Sequence, residues 1–394
     1  MDQRLNPYTP GSGIKPKRLA GRDADLEAFR LLLQRLADGE PERSLIYSGL
    51  RGVGKTVLLL EFETLAREAG WACNEVEEVG SGDFRQVFAE LAYQMLLSMS
   101  RRKRMHARAT AALGVLKAFA LGLPGGITAR IEVDASKGTA DSGDPERDLA
   151  ALLAEVGQVA QTGGIGAVFF LDEMQGLDKV ALEAVCMAMN RAGQRSLPVA
   201  LVGAGLPPLP RLLRAAKPYA ERMFAYHELD RLSDAAARLA LIAPAAQLQV
   251  EYEPRAVELI VEASAGYPHF LQEYGRVLWN EVEASPIHAR DVKSAEALVS
   301  EALSRRFFRD RFETASDAEQ RYLCAMAELG EEPARTAEVA RRAGYKDIGS
   351  TSLLRENLMR KDLIYSPRRG LIAFTVPLFA GYVREHHPLD RLDT

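Results

Sequence analysis

The residues with the clearest chemistry lie in one eight-residue run, 49–56, which reads GLRGVGKT. It fits the pattern GxxxxGK followed by Ser or Thr at Gly49, Gly54, Lys55 and Thr56. Glycine permits backbone dihedral angles that turn successive N–H groups toward a phosphate, and a following helix adds the positive end of its dipole. We therefore expect Lys55 to reach the β- and γ-phosphates of a nucleotide and the Thr56 hydroxyl to hold Mg²⁺. The other loop residues expected to contact the nucleotide are Arg51, Gly52, Val53 and Val57.

A pair of carboxylates provides the second chemical signal. Asp172 and Glu173 follow the apolar run 167–171, which has the composition of a buried parallel strand. In open α/β sheets the ligand lies beyond the carboxyl ends of the strands, so we expect Asp172 to hold the hydration shell of Mg²⁺ and Glu173 to polarise the attacking water. Acidic residues in the first turn of a helix look similar. The phosphate-loop pattern earlier in the chain favours the strand-tip interpretation.

The elements that must position these residues alternate between strands and helices. Strands are predicted at 44–47, 72–79, 167–171, 198–203 and 223–229, and helices at 23–37, 57–62 and 83–99. This alternation indicates an α/β fold with a doubly wound parallel sheet. Together with the phosphate-loop pattern at 49–56, it resembles the fold of a P-loop NTPase. Alternating apolar residues over 127–134 predict one extra strand, and the Pro- and Gly-rich stretch 1–20 is expected to lack regular structure.

A strongly basic run, 101–108 (RRKRMHAR), has two interpretations. It is typical of a solvated helix face, which is the more common role of such runs. It is also compatible with an insertion that contacts phosphates. The residues alone leave both interpretations open.

The last part of the chain has a different pattern. Helices are predicted at 317–329, 336–343 and 350–361, followed by strands at 363–365 and 371–376. Three helices and a hairpin resemble a winged helix-turn-helix, and residues 334–370 contain nine Lys and Arg against four acids, a net charge of +5. Such an excess favours contact with the phosphates of double-stranded DNA, although docking on protein is the alternative. The residues expected to contact DNA are Ser350, Ser352 and Arg355 on the third helix and Arg368 and Arg369 at the hairpin tip.

Composition limits the remaining possibilities. The 394 residues exceed one ordinary core, so two or three domains are expected. A net charge of −4 excludes a globally basic nucleic-acid binder, and apolar runs are too short to span a bilayer, so no membrane partner is expected. The three cysteines are far apart in sequence and the first residues lack the apolar core of a secretion signal, which favours a cytoplasmic location.

Together these motifs resemble those of the AAA+ ATPases, especially the branch of origin-recognition initiators, archaeal-type ATPases and STAND switches, over nearly the whole chain. The segment 20–23 (AGRD) is similar to the box that opens such domains, which implies that Arg22 borders the adenine. The segment 265–269 (AGYPH) looks like the signature of a helical lid, which implies that Pro268 and His269 lie against the nucleotide. Arg222 stands just before the last strand, where relatives supply a catalytic arginine to a neighbouring subunit; capping of its own helix is the alternative.

The resemblance implies an N-terminal arm (1–20), a nucleotide-binding domain (21–230), a helical lid (231–313) and a winged-helix domain (314–394). The sequence departs from the pattern of these relatives in two places: the strand ending at Gly203 has no Asn, Thr or Ser at its tip, and no arginine stands at 268 or 269.

The sequence supports two hypotheses about function. The first hypothesis is an ATPase that binds ATP, ADP and Mg²⁺, assembles as a homo-oligomer or with a partner protein, and loads or remodels something on DNA. The second is a slowly hydrolysing nucleotide switch whose winged helix binds protein or regulates transcription.

Overall fold

The computed structural model of this chain describes residues 1–11, 13–80, 83–124 and 126–389. The predicted domain ranges 1–20, 21–230 and 314–394 each include residues outside this description, namely 12, 81–82, 125 and 390–394. The chain divides into two compact units. The sheet unit contains residues 22–48 and 55–228, and the C-terminal unit contains 1–21, 49–54 and the chain from Leu229 onward.

The sheet unit contains the parallel strands and the helices that cover them. Its strands are β1 (Ser44–Ser48), β2 (Ala72–Cys73), β3 (Glu77–Glu78), β4 (Ala167–Asp172), β5 (Val199–Gly205) and β6 (Phe224–Glu228). Its helices are α1 (Asp23–Ala37), α2 (Lys55–Glu68), α3 (Phe84–Ser100), α4 (His106–Phe119), α5 (Ile127–Arg130), α6 (Pro145–Thr162), α7 (Lys179–Gln194), α8 (Leu209–Ala216) and α9 (Ala220–Met223).

The C-terminal unit is mainly helical. Its helices are α10 (Asp234–Ala246), α11 (Pro254–Ala263), α12 (Pro268–Glu281), α13 (Ala289–Leu303), α14 (Arg309–Glu313), α15 (Asp317–Ala327), α16 (Thr336–Arg342), α17 (Ser352–Arg360) and α18 (Phe379–His386). Its strands are β7 (Ala334–Arg335), β8 (Ile364–Tyr365) and β9 (Leu371–Phe374). Among all these described helices, none has the combination of length and apolar sequence that crossing a membrane requires.

The central sheet has the strand order β2-β4-β5-β1-β6, and every pairing in it is parallel. The carboxyl ends of its strands therefore meet at one edge. Helices cover both faces because side chains alternate along each strand: Phe169 contacts Phe88 of α3, whereas Phe170 contacts Phe29 of α1. The predicted α/β fold with a doubly wound parallel sheet is confirmed.

The predicted strand at 72–79 is broken into β2 and β3 by a side chain. The buried Asn74 accepts a hydrogen bond from the Phe170 N–H at 2.9 Å and donates one to the Phe170 carbonyl, also at 2.9 Å. Its amide therefore takes the place that strand backbone would have beside β4. A pattern of apolar and polar residues does not reveal that a side-chain amide replaces strand backbone in this way.

The predicted strand at 127–134 is wrong, because the chain forms the short helix α5 there. Ile127 and Ile131 are both buried, and their spacing of four residues places them on one side of a helical turn. The carbonyls of Ile131 and Val133 accept hydrogen bonds from the Lys117 ammonium at 2.9 Å each. The Lys117 side chain thus bonds two backbone carbonyls that a neighbouring strand would otherwise have bonded.

The basic run 101–108 forms the turn that follows α3 and also the first residues of α4. Four consecutive cations of this turn are exposed, while Met105 behind them is buried. A Cβ added to Gly163 would lie 2.2 Å from the Met105 sulfur, so that sulfur packs directly against backbone. The exposed cations are Arg101, Arg102, Lys103 and Arg104.

The described residues of the N-terminal arm, 1–11 and 13–20, have no regular structure apart from one short turn, Gln3–Leu5. They include residues that pack against the helices of the C-terminal unit. Tyr8 is buried, and its hydroxyl donates to the Leu241 carbonyl at 2.5 Å. The Trp279 indole N–H donates to the Asp2 carbonyl at 2.9 Å. The first residues of the arm are therefore hydrogen-bonded to the helices of this unit.

Residues 314–389 form a module of four helices and a small sheet. The sheet has the antiparallel order β7-β9-β8. The three predicted helices and the hairpin are present as α15, α16, α17, β8 and β9. Strand β7 and helix α18 were not predicted. The winged-helix assignment itself stays a prediction.

Candidate functional site

The phosphate-loop pattern has the backbone that its glycines were expected to allow. Gly52 and Gly54 have φ angles of 81° and 94°, a left-handed conformation that strains other residues. A Cβ on Gly49 would lie only 2.2 Å from the Leu229 carbonyl oxygen, so a larger residue does not fit there. Val53 is buried, and α2 begins with Lys55 directly after Gly54. The sequence pattern therefore forms a tight loop that leads into a helix N-terminus.

In the sheet unit, the first turn of α2 meets the end of β4. The Thr56 hydroxyl donates to the Asp172 carboxylate at 2.5 Å. Lys55 and Asp172 are 7% and 4% exposed, so both charged groups are largely withdrawn from bulk water. Burial raises the pKa of the Asp172 carboxyl above its ordinary value, as does the nearby Glu173 charge, although the Thr56 hydrogen bond and Lys55 act in the opposite direction.

These groups fit a magnesium ion. The hydroxyl of Thr56 and the carboxylate of Asp172 are hard oxygen donors, which Mg²⁺ prefers. A cation bound there would neutralise the buried carboxylate of Asp172. Val57, which was also expected to contact the nucleotide, follows Thr56 in α2 and is half-buried.

Glu173 has an unusual backbone and a held side chain. Its φ of 51° lies in the left-handed region, which is uncommon for a residue with a side chain. Its own N–H donates to the Asp172 carboxylate at 2.8 Å, and its carboxylate accepts a hydrogen bond from the Gln175 amide at 2.5 Å. Sequence reasoning missed Gln175, although the absence of a polar residue at the end of β5 was a signal that another element supplies one.

In the C-terminal unit, the start of α12 lies against the phosphate loop. Pro268 is the first residue of α12, and the His269 N–H donates to the Gly52 carbonyl at 3.3 Å. The His269 ring stacks on Phe307 with 4.5 Å between centroids. Burial lowers the pKa of His269, the nearby Glu273 opposes this shift, and Arg311 reinforces it, so the surroundings favour the neutral imidazole. His269 therefore does not replace the charge of the arginine that is missing here.

The phosphate loop also contacts the C-terminal module within the same unit. The Arg51 N–H donates to the Thr375 carbonyl at 3.0 Å, and the Arg51 guanidinium forms an ion pair with Asp362 at 2.9 Å. Thr375 is buried, and its hydroxyl donates to the Asp362 carbonyl. Arg51 and Asp362 are 311 residues apart, so no local pattern could have revealed their contact.

The two remaining arginines expected near nucleotide lie in different parts of the sheet unit. Arg22 is 9% exposed and precedes the first residue of α1. Arg222 is exposed on α9, two residues before β6. Because Ser44 of β1 pairs with Phe224 and the strands are parallel, Arg222 lies at the amino edge of the sheet. Crossing the five residues of β1 to the opposite edge spans about 16 Å.

The residues expected to contact DNA differ in exposure. Arg368 and Arg369 are exposed in the turn between β8 and β9, and Ser350 and Ser352 are exposed before and at the start of α17. Arg355 is half-buried, and its guanidinium donates to the Thr351 carbonyl at 3.4 Å and the Ser352 hydroxyl at 3.3 Å. The outward surface of α17 also carries Leu353, which is 69% exposed.

Comparison with known families separates the chain into two matched regions. Residues 18–202 match the family model described as AAA ATPase domain, and residues 305–383 match a domain of unknown function (DUF8462). No curated protein matches the sequence. The first match confirms an ATPase domain of the AAA type, and with it a P-loop enzyme that hydrolyses ATP.

Several solved structures are similar to most of the chain at low sequence identity. The Orc1 protein of Aeropyrum pernix in complex with DNA is 17% identical, with 96% of this chain and 95% of that chain covered and a TM-score of 0.46. A variant of Thermotoga maritima RuvB is 17% identical, covering 97% and 99%, with a TM-score of 0.47. A Walker-type ATPase of Pyrococcus abyssi is 14% identical, covering 94% and 97%, with a TM-score of 0.49.

Proposed function

We propose that this chain binds ATP together with Mg²⁺, hydrolyses it at Glu173, and acts as an oligomer on double-stranded DNA. The observation that carries the proposal is the cluster in which Thr56 bonds to Asp172 and Glu173 follows at the end of β4. Lys55, the residue before Thr56 in α2, supplies a buried cation. A phosphate-binding cation, two metal-binding oxygens and a general base are the parts that phosphoryl transfer to water requires.

Each residue has a distinct task in this proposal. Lys55 and the N–H groups at the start of α2 hold the phosphates of ATP. Thr56 and Asp172 would hold Mg²⁺, which when bound neutralises the charge of the β- and γ-phosphates. Glu173 orients the attacking water and accepts its proton. Arg22, Pro268 and His269 are proposed to border the nucleoside and the phosphates.

An oligomer is proposed because Arg222 cannot serve the phosphates of its own subunit. It lies at the amino edge of the sheet, about 16 Å of strand away from the edge that carries Asp172 and Thr56. An arginine that reaches the γ-phosphate from a neighbouring subunit accelerates hydrolysis by several orders of magnitude. Arg222 also lines a cavity of about 350 Å³ together with Arg35, Arg43 and Glu42, so this surface is concave and charged.

Binding of DNA is proposed for the tip of the β8–β9 hairpin. Arg368 and Arg369 are adjacent, exposed and placed in a turn, where they pack against no core. Two such guanidiniums suit contact with the phosphate backbone. Ser350 and Ser352 are available at the surface of the same module, and Arg355 would have to leave its present hydrogen bonds to join them.

The test is steady-state ATP turnover measured over a range of protein concentrations, with and without duplex DNA. Turnover per subunit that rises steeply with concentration supports an assembled active form. Stimulation by DNA that disappears in the Arg368→Ala, Arg369→Ala double variant supports the DNA contact. Turnover per subunit that is independent of both concentration and DNA contradicts the oligomer and its DNA partner.

A second candidate function is a slowly hydrolysing nucleotide switch. The observation that favours it is the pairing of Arg51, inside the phosphate loop, with Asp362 and Thr375 of the C-terminal module. A change in the loop on nucleotide exchange would be transmitted directly to that module. Slow turnover that is insensitive to protein concentration, combined with a nucleotide-dependent change in protease sensitivity of residues 314–389, favours the switch.

A further inference from the structure

The end of β5 is unusual because it has no polar side chain. The strand closes with Gly203, Ala204 and Gly205, although it lies beside β4 and its carboxylates. The reason is steric. A Cβ on Gly203 would lie 2.1 Å from the Met174 sulfur, and a Cβ on Gly205 would lie 2.6 Å from the Gln175 side-chain oxygen. The two residues that follow Glu173 therefore occupy the space above these glycines.

Gln175 uses both ends of its amide at this position. Its oxygen accepts a hydrogen bond from the Leu206 N–H at 2.9 Å, directly after β5. Its nitrogen donates to the Glu173 carboxylate at 2.5 Å. The planar amide of Gln175 therefore connects the end of β5 to the Glu173 carboxylate, the group that is proposed to activate water.

We propose that Gln175 is a positioning residue for Glu173, and that it supplies from the β4–α7 connection the polar group that the end of β5 lacks. This proposal rests on the function proposed for Glu173. A glutamate side chain has large rotational freedom, and a shift of about 1 Å in a catalytic group can lower a rate by roughly 100-fold. The left-handed backbone of Glu173 persists only where its surroundings hold it, and Gln175 is part of those surroundings.

The experiment compares kcat and KM for ATP, and the ATP dissociation constant, in five proteins. They are the wild type, Gln175→Ala, Gln175→Met, Gly205→Asn and the double variant Gln175→Ala, Gly205→Asn. Gln175→Met keeps the volume of the side chain but removes both hydrogen bonds, so it separates positioning from packing. Melting temperatures establish that each variant is folded.

Both substitutions of Gln175 should lower kcat by roughly 10-fold and leave ATP affinity within about twofold, since the phosphate contacts are untouched. Gly205→Asn alone should also lower kcat, because its side chain collides with the Gln175 amide. In the double variant the asparagine enters the vacated space, where its Cβ would lie 2.9 Å from a methyl carbon of Leu209 and 3.4 Å from the Leu209 Cβ. Its amide should then restore part of kcat.

Three results would overturn the proposal. They are an unchanged kcat in Gln175→Met, a loss of ATP affinity as large as the loss of kcat, and a double variant no faster than Gln175→Ala. Glu173→Gln is measured beside them as a reference. If Glu173→Gln hydrolyses ATP at the wild-type rate, the function proposed for Glu173 fails, whatever the Gln175 variants do.

Discussion

At the scale of single residues, Asp172 and Glu173 are neighbours with different surroundings. Asp172 is buried and bonded to Thr56, whereas Glu173 is half-exposed and bonded to Gln175. Glu173 has a left-handed backbone conformation, which turns the chain directly after Asp172. The two adjacent carboxylates can therefore take the separate tasks proposed for them, Asp172 as a ligand of Mg²⁺ and Glu173 as the base.

We expect Glu173→Gln to retain ATP binding and to lower hydrolysis by roughly 100-fold or more, because the amide keeps the shape of the side chain and cannot accept the proton. Asp172→Asn should instead weaken the Mg²⁺-dependent part of ATP binding. The measurement is ATP affinity with and without Mg²⁺, together with single-turnover hydrolysis. Hydrolysis at the wild-type rate in Glu173→Gln would show that another group is the base.

The sequence predicted the residues that belong to one short motif, and it missed those that meet through the fold. The contact of Thr56 with the end of β4 follows from two motifs with known geometry. The roles of Gln175 and Asp362 depend on which side chains fill the space beside a glycine and which loop lies opposite Arg51. Those facts depend on packing, which composition and spacing do not encode locally.

At the scale of elements, the positions of strands with continuous apolar runs were predictable within a few residues. β4 and β5 are of this kind, since every residue of both strands is buried. Prediction failed where side chains replaced backbone hydrogen bonds, as at Asn74 and Lys117. Two-residue strands such as β7 give no periodic signal at all.

The contact between the phosphate loop and the C-terminal module makes a prediction about nucleotide release. Asp362 has a φ of 54°, a conformation that asparagine also tolerates, so Asp362→Asn removes the charge without straining the backbone. A partly exposed ion pair contributes up to about 1 kcal/mol, which corresponds to about a fivefold change in an equilibrium. We therefore expect Asp362→Asn to speed ADP release by up to about fivefold.

The measurement is the dissociation rate of a fluorescent ADP analogue after dilution into excess ATP. Glu356→Gln is the matched control, because it makes the same acid-to-amide change at an exposed position of α17 in the same module. Release that is equally fast in wild type, Asp362→Asn and Glu356→Gln would show that the ion pair does not restrain the loop.

At the scale of the whole molecule, the parallel sheet separates the two edges that carry the proposed functional residues. The carboxyl edge carries the end of β4 with Asp172, and the amino edge carries Arg222 and the cavity beside it. This separation follows directly from strand direction, so it was predictable once the sheet was known to be parallel. An active arginine at Arg222 therefore requires the carboxyl edge of a second copy.

This requirement can be tested by mixing two inactive variants. Arg222→Ala lacks the arginine, and Glu173→Gln lacks the base, so each contributes the half-site that the other has lost. In randomly mixed assemblies about a quarter of the interfaces would combine an intact Glu173 with an intact Arg222. Turnover should therefore recover to about that fraction of the wild-type rate in a 1:1 mixture. Arg211→Ala, an exposed arginine of α8 in the same unit, is the matched control and should hydrolyse ATP normally. Wild-type turnover in Arg222→Ala alone, or a mixture no faster than the mean of its components, would exclude a shared site.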